Sequence, residues 1–168
     1  MRKAYLSAQV RHYVDDKYDF NKGKLIPVYD EWKELAYCVR NLLTNAGKDY
    51  FHAQDYTNTG AGGVGVNFIA LTESSITPAV TDTTLTGEIT TNGLARAIAT
   101  TLTHSAGANT TTLSKTFTAS GSFTSVLASA TFNASSAGTM GHIANFSTGS
   151  GTMISGDQLA VTWTQTLS

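Results

Sequence analysis

A chain of 168 residues suits one domain, or one domain with an appendage, and at this size it buries roughly 70% of its unfolded surface without a disulfide staple. Its single cysteine, Cys38, excludes an internal disulfide and is compatible with folding in a reducing compartment. A formal net charge of −1 argues against a general nucleic-acid binder, and no apolar run approaches the roughly 20 residues of a membrane span.

Residues 1–26 show no clear period. The run Ala4–Val10 is short for a secretory signal, contains Gln9 and stops at Arg11 and His12. Tyr5, Tyr13, Tyr18 and Phe20 are scattered among Asp15, Asp16, Lys17, Lys22 and Lys24. Aromatic residues with mixed charge outside a periodic element often pack on something else. An arm reaching a neighbour and an ordinary first strand or short helix of the same domain both fit. The expectation carried forward is an arm.

Residues 30–46 predict a helix. Trp32, Leu35, Ala36, Val39, Leu42 and Leu43 recur at steps of three and four and build one apolar face, wide enough to pack on a sheet. Asp30, after Pro27, is placed to cap its start and Gly47 to close its end. Cys38 falls on this helix as a small core thiol. The polar face is not enriched in Lys and Arg, which argues against a membrane-surface role.

Thr59–Val66 reads TGAGGVGV, and Gly60, Gly62 and Gly65 match G-x-G-x-x-G. In a dinucleotide site such glycines follow a strand and open a helix, whose N-terminal amides hold the pyrophosphate. Here polar, turn-like residues 51–58 precede them and a β-rich run, 66–72, follows. No G-K-[ST] supplies a phosphate lysine. Asp82 and Glu88 lie at the sequence distance of a ribose-binding acid, without a βαβ unit to place them. The stretch reads instead as a hinge between two unlike regions.

Residues 1–55 hold nine of the eleven Lys/Arg and eight of the twelve Asp/Glu, so the rest of the chain must present a hydroxyl-rich rather than an ionic surface. Its Thr content favours strands. Strands are expected at Val66–Thr72, Leu85–Thr90, Leu94–His104, Thr111–Ala119, Thr124–Phe132, His142–Ser147 and Gln158–Thr166, separated by Gly, Asn and Ser clusters. Leu113 and Phe117 share one parity, as do Leu159, Val161 and Trp163. Short alternating strands at this spacing suggest an antiparallel sandwich. Its edges are a hazard that pairing with neighbours would remove.

No catalytic constellation stands out. His12, His52, His104 and His142 make no close metal-binding pair, and a Cys cluster is lacking. No G-x-S-x-G elbow occurs, and nothing selects one Ser–His–Asp set among the many serines. The adjacent acids Asp15–Asp16 and Asp30–Glu31 read as solvated surface or a helix cap. His142 reads as a strand or turn residue. Trp163 reads as core rather than a sugar platform. Arg96 is expected to pair with Glu88 or Asp82, the alternative being an anion on a partner surface. The sequons at Asn109, Asn133 and Asn145 read as chance in a Thr/Ser-rich chain. The catalytic, cofactor-binding and metal assignments are therefore none.

Phe68–Thr72 (FIALT), Pro78–Ala79, Thr81–Leu85, Gly87–Ile89, Asn92–Arg96, Thr112–Thr118, Gly138–Met140 and Gly156–Trp163 (GDQLAVTW) together resemble runs of small virion structural proteins of tailed bacteriophages. Asn41–Asn45 and Gly47–Lys48 also fit. The resemblance covers roughly residues 40–168 and rests on structural motifs. It implies a non-enzymatic virion protein that decorates or cements the capsid, with no catalytic residues to carry over. The alternative it leaves is a tail or neck adaptor, or a fibre-base protein with a glycan-binding sandwich. The implied location is the virion, assembled in the host bacterial cytoplasm. The implied partners are the major capsid protein, other virion subunits and further copies of the chain, with no nucleic acid and no membrane. The expected architecture is mainly β, an antiparallel β-sandwich of jelly-roll or Ig-like type, preceded by an N-terminal arm and one amphipathic α-helix. The expected divisions are an arm at 1–26, a helical segment packing on the sandwich at 27–59, and the Thr/Ser/Gly-rich sandwich at 60–168.

Overall fold

The computed structural model describes residues 2–20, 22–40, 42–56, 65–106, 108 and 110–167. In chain order they form β1 (Arg2–Arg11), β2 (Tyr13–Asp19), β3 (Lys24–Tyr29), β4 (Lys33–Arg40) and β5 (Leu42–Leu43), then α1 (Asn45–Tyr56). There follow β6 (Phe68–Thr72), β7 (Ala97–Ile98), β8 (Thr101–His104), β9 (Thr110–Thr118), β10 (Ala128–Phe132), β11 (Met140–Asn145) and β12 (Gln158–Leu167). One sheet has the order β4-β1-β12-β9-β8, a second β5-β11-β10-β6-β7, and β2 and β3 make a separate hairpin. The pairings are antiparallel. The chain is mainly β, and the two sheets share a core, consistent with a β-sandwich.

Alternation builds that core, because successive strand residues point to opposite faces. Leu6, Ala8 and Val10 of β1, Leu113 and Phe117 of β9, and Leu159, Val161 and Trp163 of β12 turn inward. They meet Ile69, Leu71 and Ala144 of the second sheet. Each large side chain so buried contributes about 1.5–3 kcal/mol. Trp163 is 0% exposed, and its indole N–H donates to Ser129 Oγ at 3.2 Å, so its one polar atom is satisfied inside the core. Between these residues the outer positions of the first sheet form hydroxyl rows. Thr162 lies opposite Ser114, Thr164 opposite Thr112 and Thr166 opposite Thr110.

The second sheet is buried on both faces. All five residues of β10 are buried. Ala130, Phe132, Met140 and Ile143 form a second apolar cluster with Ala70 and Leu85, packed by Ile76, Phe68 and Leu42. Arg96 locks the loops above it. Its guanidinium lies 3.5 Å over the Phe132 ring, donates to both Glu88 oxygens at 2.7 and 2.5 Å, and reaches the carbonyls of Ala134 and Ala137. Of the two acids expected for Arg96, the partner is Glu88.

Several expectations are corrected. Residues 33–40 are the strand β4, not a helix, so Cys38 sits on a strand and the helix within 27–59 is Asn45–Tyr56. The cause is a pair of register shifts against β1: Leu6 lies opposite Val39, Ala8 opposite Ala36 and Gln9 opposite Glu34. Each shift inserts an extra residue. Leu35 and Ala36 are then both buried although adjacent, and Val39 follows at a step of three. The bulged strand imitates helical spacing. The helix begins later, capped by Thr44, whose Oγ1 accepts from the Gly47 amide at 3.0 Å while donating to Met140 O at 2.7 Å. Gly47 therefore lies in the first turn rather than at a C-terminus. A β-carbon there would collide with the Gly141 carbonyl, and this lets the helix approach β11.

Residues 1–26 are not an arm. β1 is an interior strand between β4 and β12, and the projecting element is the hairpin at 13–29. Residues 85–90 make a single bridge, Thr72 to Glu88, instead of a strand. The run 94–104 splits between the sheets as β7 and β8. Of the glycine stretch, 59–64 lies outside the described residues.

Candidate interaction site: a projecting hairpin and its anchor

The hairpin closes through a loop between the paired residues Asp19 and Lys24. The amides of Lys22 and Gly23 donate to Asp19 O at 3.2 and 2.8 Å, and Lys22 N also reaches Asp19 Oδ1 at 3.2 Å. Tyr18 lies opposite Leu25, and Phe20 stands edge-on to Tyr18 at 5.0 Å between ring centroids. Val14 is the extra residue of a register shift between Tyr13 and Asp15, and it points outward. Phe20 is 88% exposed, and Val14, Tyr18 and Leu25 are exposed with it. Scattered exposed apolar residues are ordinary, but four on a two-stranded ribbon are not. Such a ribbon is marginal by itself.

The hairpin is nevertheless firmly rooted. Asp157, 1% exposed, immediately precedes β12. Its Oδ1 accepts the Tyr13 amide at 2.7 Å. Its Oδ2 accepts the Ile154 amide at 2.8 Å and lies 2.8 Å from His12 Nδ1. Burial raises the Asp157 carboxyl. The hydrogen bonds from His12, Ile154 and Tyr13 and the charge of His12 outweigh it and hold the group below the usual carboxylate value. The ionised carboxylate only accepts, so His12 Nδ1 carries the proton. His12 also donates its amide to Asp30 Oδ1 at 2.6 Å and accepts the Asp30 amide at 2.9 Å. Asp30 thus closes the root of the hairpin instead of capping a helix.

Beside this clasp, Arg11 Nε and Nη2 both donate to Gln158 Oε1, at 3.1 and 2.8 Å. The guanidinium lies 4.1 Å from the Tyr29 ring and 4.6 Å from that of Trp32. Gly156 has φ +97°, a left-handed backbone, and the Tyr13 ring covers the place of a side chain there. The Gly156–Asp157 pair at the head of the GDQLAVTW run is thus the joint on which the hairpin sits. Chemically, both Asp157 oxygens are committed to positioning backbone and His12.

The other singled-out residues fall elsewhere. His142 is buried on β11, 5.6 Å from the Phe51 ring and 6.1 Å from Trp163. His104 is exposed on β8. Asp15 and Asp16 are exposed on the hairpin. Among the described residues no three His, Cys, Asp or Glu side chains group to hold a metal. No helix among them is long and apolar enough to cross a membrane. Compared with known proteins, the chain matches no family model, no curated protein and no solved structure.

Proposed function

We propose that this is a non-enzymatic virion structural protein of a tailed bacteriophage, decorating or cementing the capsid, with the β2–β3 hairpin as the element that docks on a neighbouring subunit. One observation carries the reading. Val14, Tyr18, Phe20 and Leu25 are held out in solvent on a ribbon rooted by the buried Asp157 clasp. A rigid root presents the apolar tip ready-made, so little ordering entropy opposes docking. Copies on a shell make individually weak contacts act together.

The sandwich is read as jelly-roll-like. Its pairings nest, β1 with β12, β5 with β11, β6 with β10 and β8 with β9, as a long hairpin wrapped into two sheets would pair. A tail or neck position is the second reading. It is favoured by the exposed aromatic pair Tyr18–Phe20, which offers a stacking surface to a glycan.

The test is co-sedimentation with capsids that lack the protein. The double substitution Phe20→Ser, Leu25→Ser should abolish binding with the thermal midpoint unchanged. Wild-type binding by that variant would remove the hairpin from the reading. Saturable binding on a glycan array, lost in the same variant, would favour the tail position.

A further inference from the structure

The four outer edges of the two sheets are guarded unequally. β4 carries the exposed Lys33 and Glu34 and two register shifts, both of which discourage a stray strand. β5 and β7 are two residues long, too short to template pairing. β8 is different. It has four residues, Thr101–His104, in unbroken register with β9. All four are exposed, and Leu102 is 60% exposed. Between Ala97 and Ser114 the chain has no Lys, Arg, Asp, Glu or Pro, and His104 is its only titratable side chain. Among the described residues this edge carries no charge, proline or bulge.

The sequence of the edge says what fits it. Thr101–Leu102–Thr103 reads the same in both directions about Leu102. We propose that β8 pairs antiparallel with β8 of a second copy about a twofold axis at Leu102, continuing the first sheet across a dimer. In that register Leu102 faces its own counterpart, and each Thr101 faces a Thr103. Like apolar and like hydroxyl residues are the favourable cross-strand neighbours, and no like charges meet. An isologous contact needs a self-complementary patch, which a palindromic, uncharged strand provides. Ile98 of β7, three residues before β8 and itself exposed, lies on the same flank. The edge is short, about 13 Å at the usual rise per residue. The contact is therefore below the size of a stable interface, and a dissociation constant on the order of 100 μM is expected. This surface is separate from the hairpin, and the inference does not depend on the capsid reading.

The test is sedimentation equilibrium on the full chain from about 10 μM to about 1 mM, a range that brackets the expected constant, with amide hydrogen exchange at both ends. The expected result is a reversible monomer–dimer equilibrium, with slower exchange across Thr101–His104 at the high concentration. Leu102→Lys, at an exposed position, should weaken dimerisation at least about tenfold by setting two charges face to face, with an unchanged thermal midpoint. Phe20→Ser should dimerise like the wild type. A monomer throughout the range would overturn the proposal. So would association that survives Leu102→Lys, or protection of β8 that appears only on capsids, which would make a different virion subunit the occupant.

Discussion

Strand β12 and the β2–β3 hairpin are both antiparallel ladders, yet they place their apolar residues oppositely. β12 turns Leu159, Val161 and Trp163 into the space between the sheets. The hairpin turns Val14, Tyr18, Phe20 and Leu25 into solvent. The two meet at Asp157, the residue that precedes Gln158 at the head of β12 and holds the hairpin by its root. Stability and recognition should therefore be separable by substitution, with Asp157 the position where both change.

The largest effect is expected inside the sandwich. Trp163→Ala removes the biggest core side chain and strands the Ser129 hydroxyl, at a cost of about 3–5 kcal/mol. For a chain of this size that lowers the thermal midpoint by about 10 °C or more, read in a melt. Asp157→Ala comes next. It orphans the Tyr13 and Ile154 amides and His12, for a loss of about 3 kcal/mol. Hydrogen exchange at the Tyr13 and Ile154 amides should accelerate, and Asp157→Asn, which keeps one accepting oxygen, should cost less.

The pH dependence sharpens the same comparison. The folded Asp157 carboxyl is depressed below its unfolded value of about 3.9, so its contribution is fully present above that value and is lost as pH falls through the folded one. In an acid titration followed by hydrogen exchange, the root of the hairpin should loosen below about pH 4 in the wild type. That step should be missing from Asp157→Asn. The smallest effect on folding is expected at the tip. Phe20→Ser should change stability by less than about 0.5 kcal/mol, while the proposed docking on capsids should weaken. A large stability loss there would mean that the tip packs on its own chain.

β9 and β12 were legible in the sequence because each buries one face and leaves the other to threonine, so a period of two survives in the letters. β4 was not, because its bulges turn Leu35 and Ala36 inward together and write a three- and four-residue spacing into a strand. In β1 the alternation of Leu6, Ala8 and Val10 is plain once the partners are known. The aperiodic scatter of Tyr5, Tyr13, Tyr18 and Phe20 among Asp15, Asp16, Lys17, Lys22 and Lys24 makes the whole of 1–26 read as an arm. The Arg96–Glu88 pair was legible because its members lie eight residues apart in a stretch poor in charge. The Asp157 clasp was not, because its partners His12 and Tyr13 stand 145 and 144 residues away. Gly156 and Asp157 open the GDQLAVTW run, but the letters of that run do not show what they contact.

The pairing of β1 with β12 also sets a timetable for folding. Arg11 meets its partner Gln158 only after 147 further residues have been made. At synthesis rates of roughly 5–20 residues per second, β1 gains β4 early but waits on the order of ten seconds for β12, its other neighbour. Closing so long a loop makes native contacts non-local and folding slow. During that interval Leu6, Ala8 and Val10 are exposed, and a chaperone that shields residues 2–11 on the ribosome should raise the yield of folded protein more than one added after release.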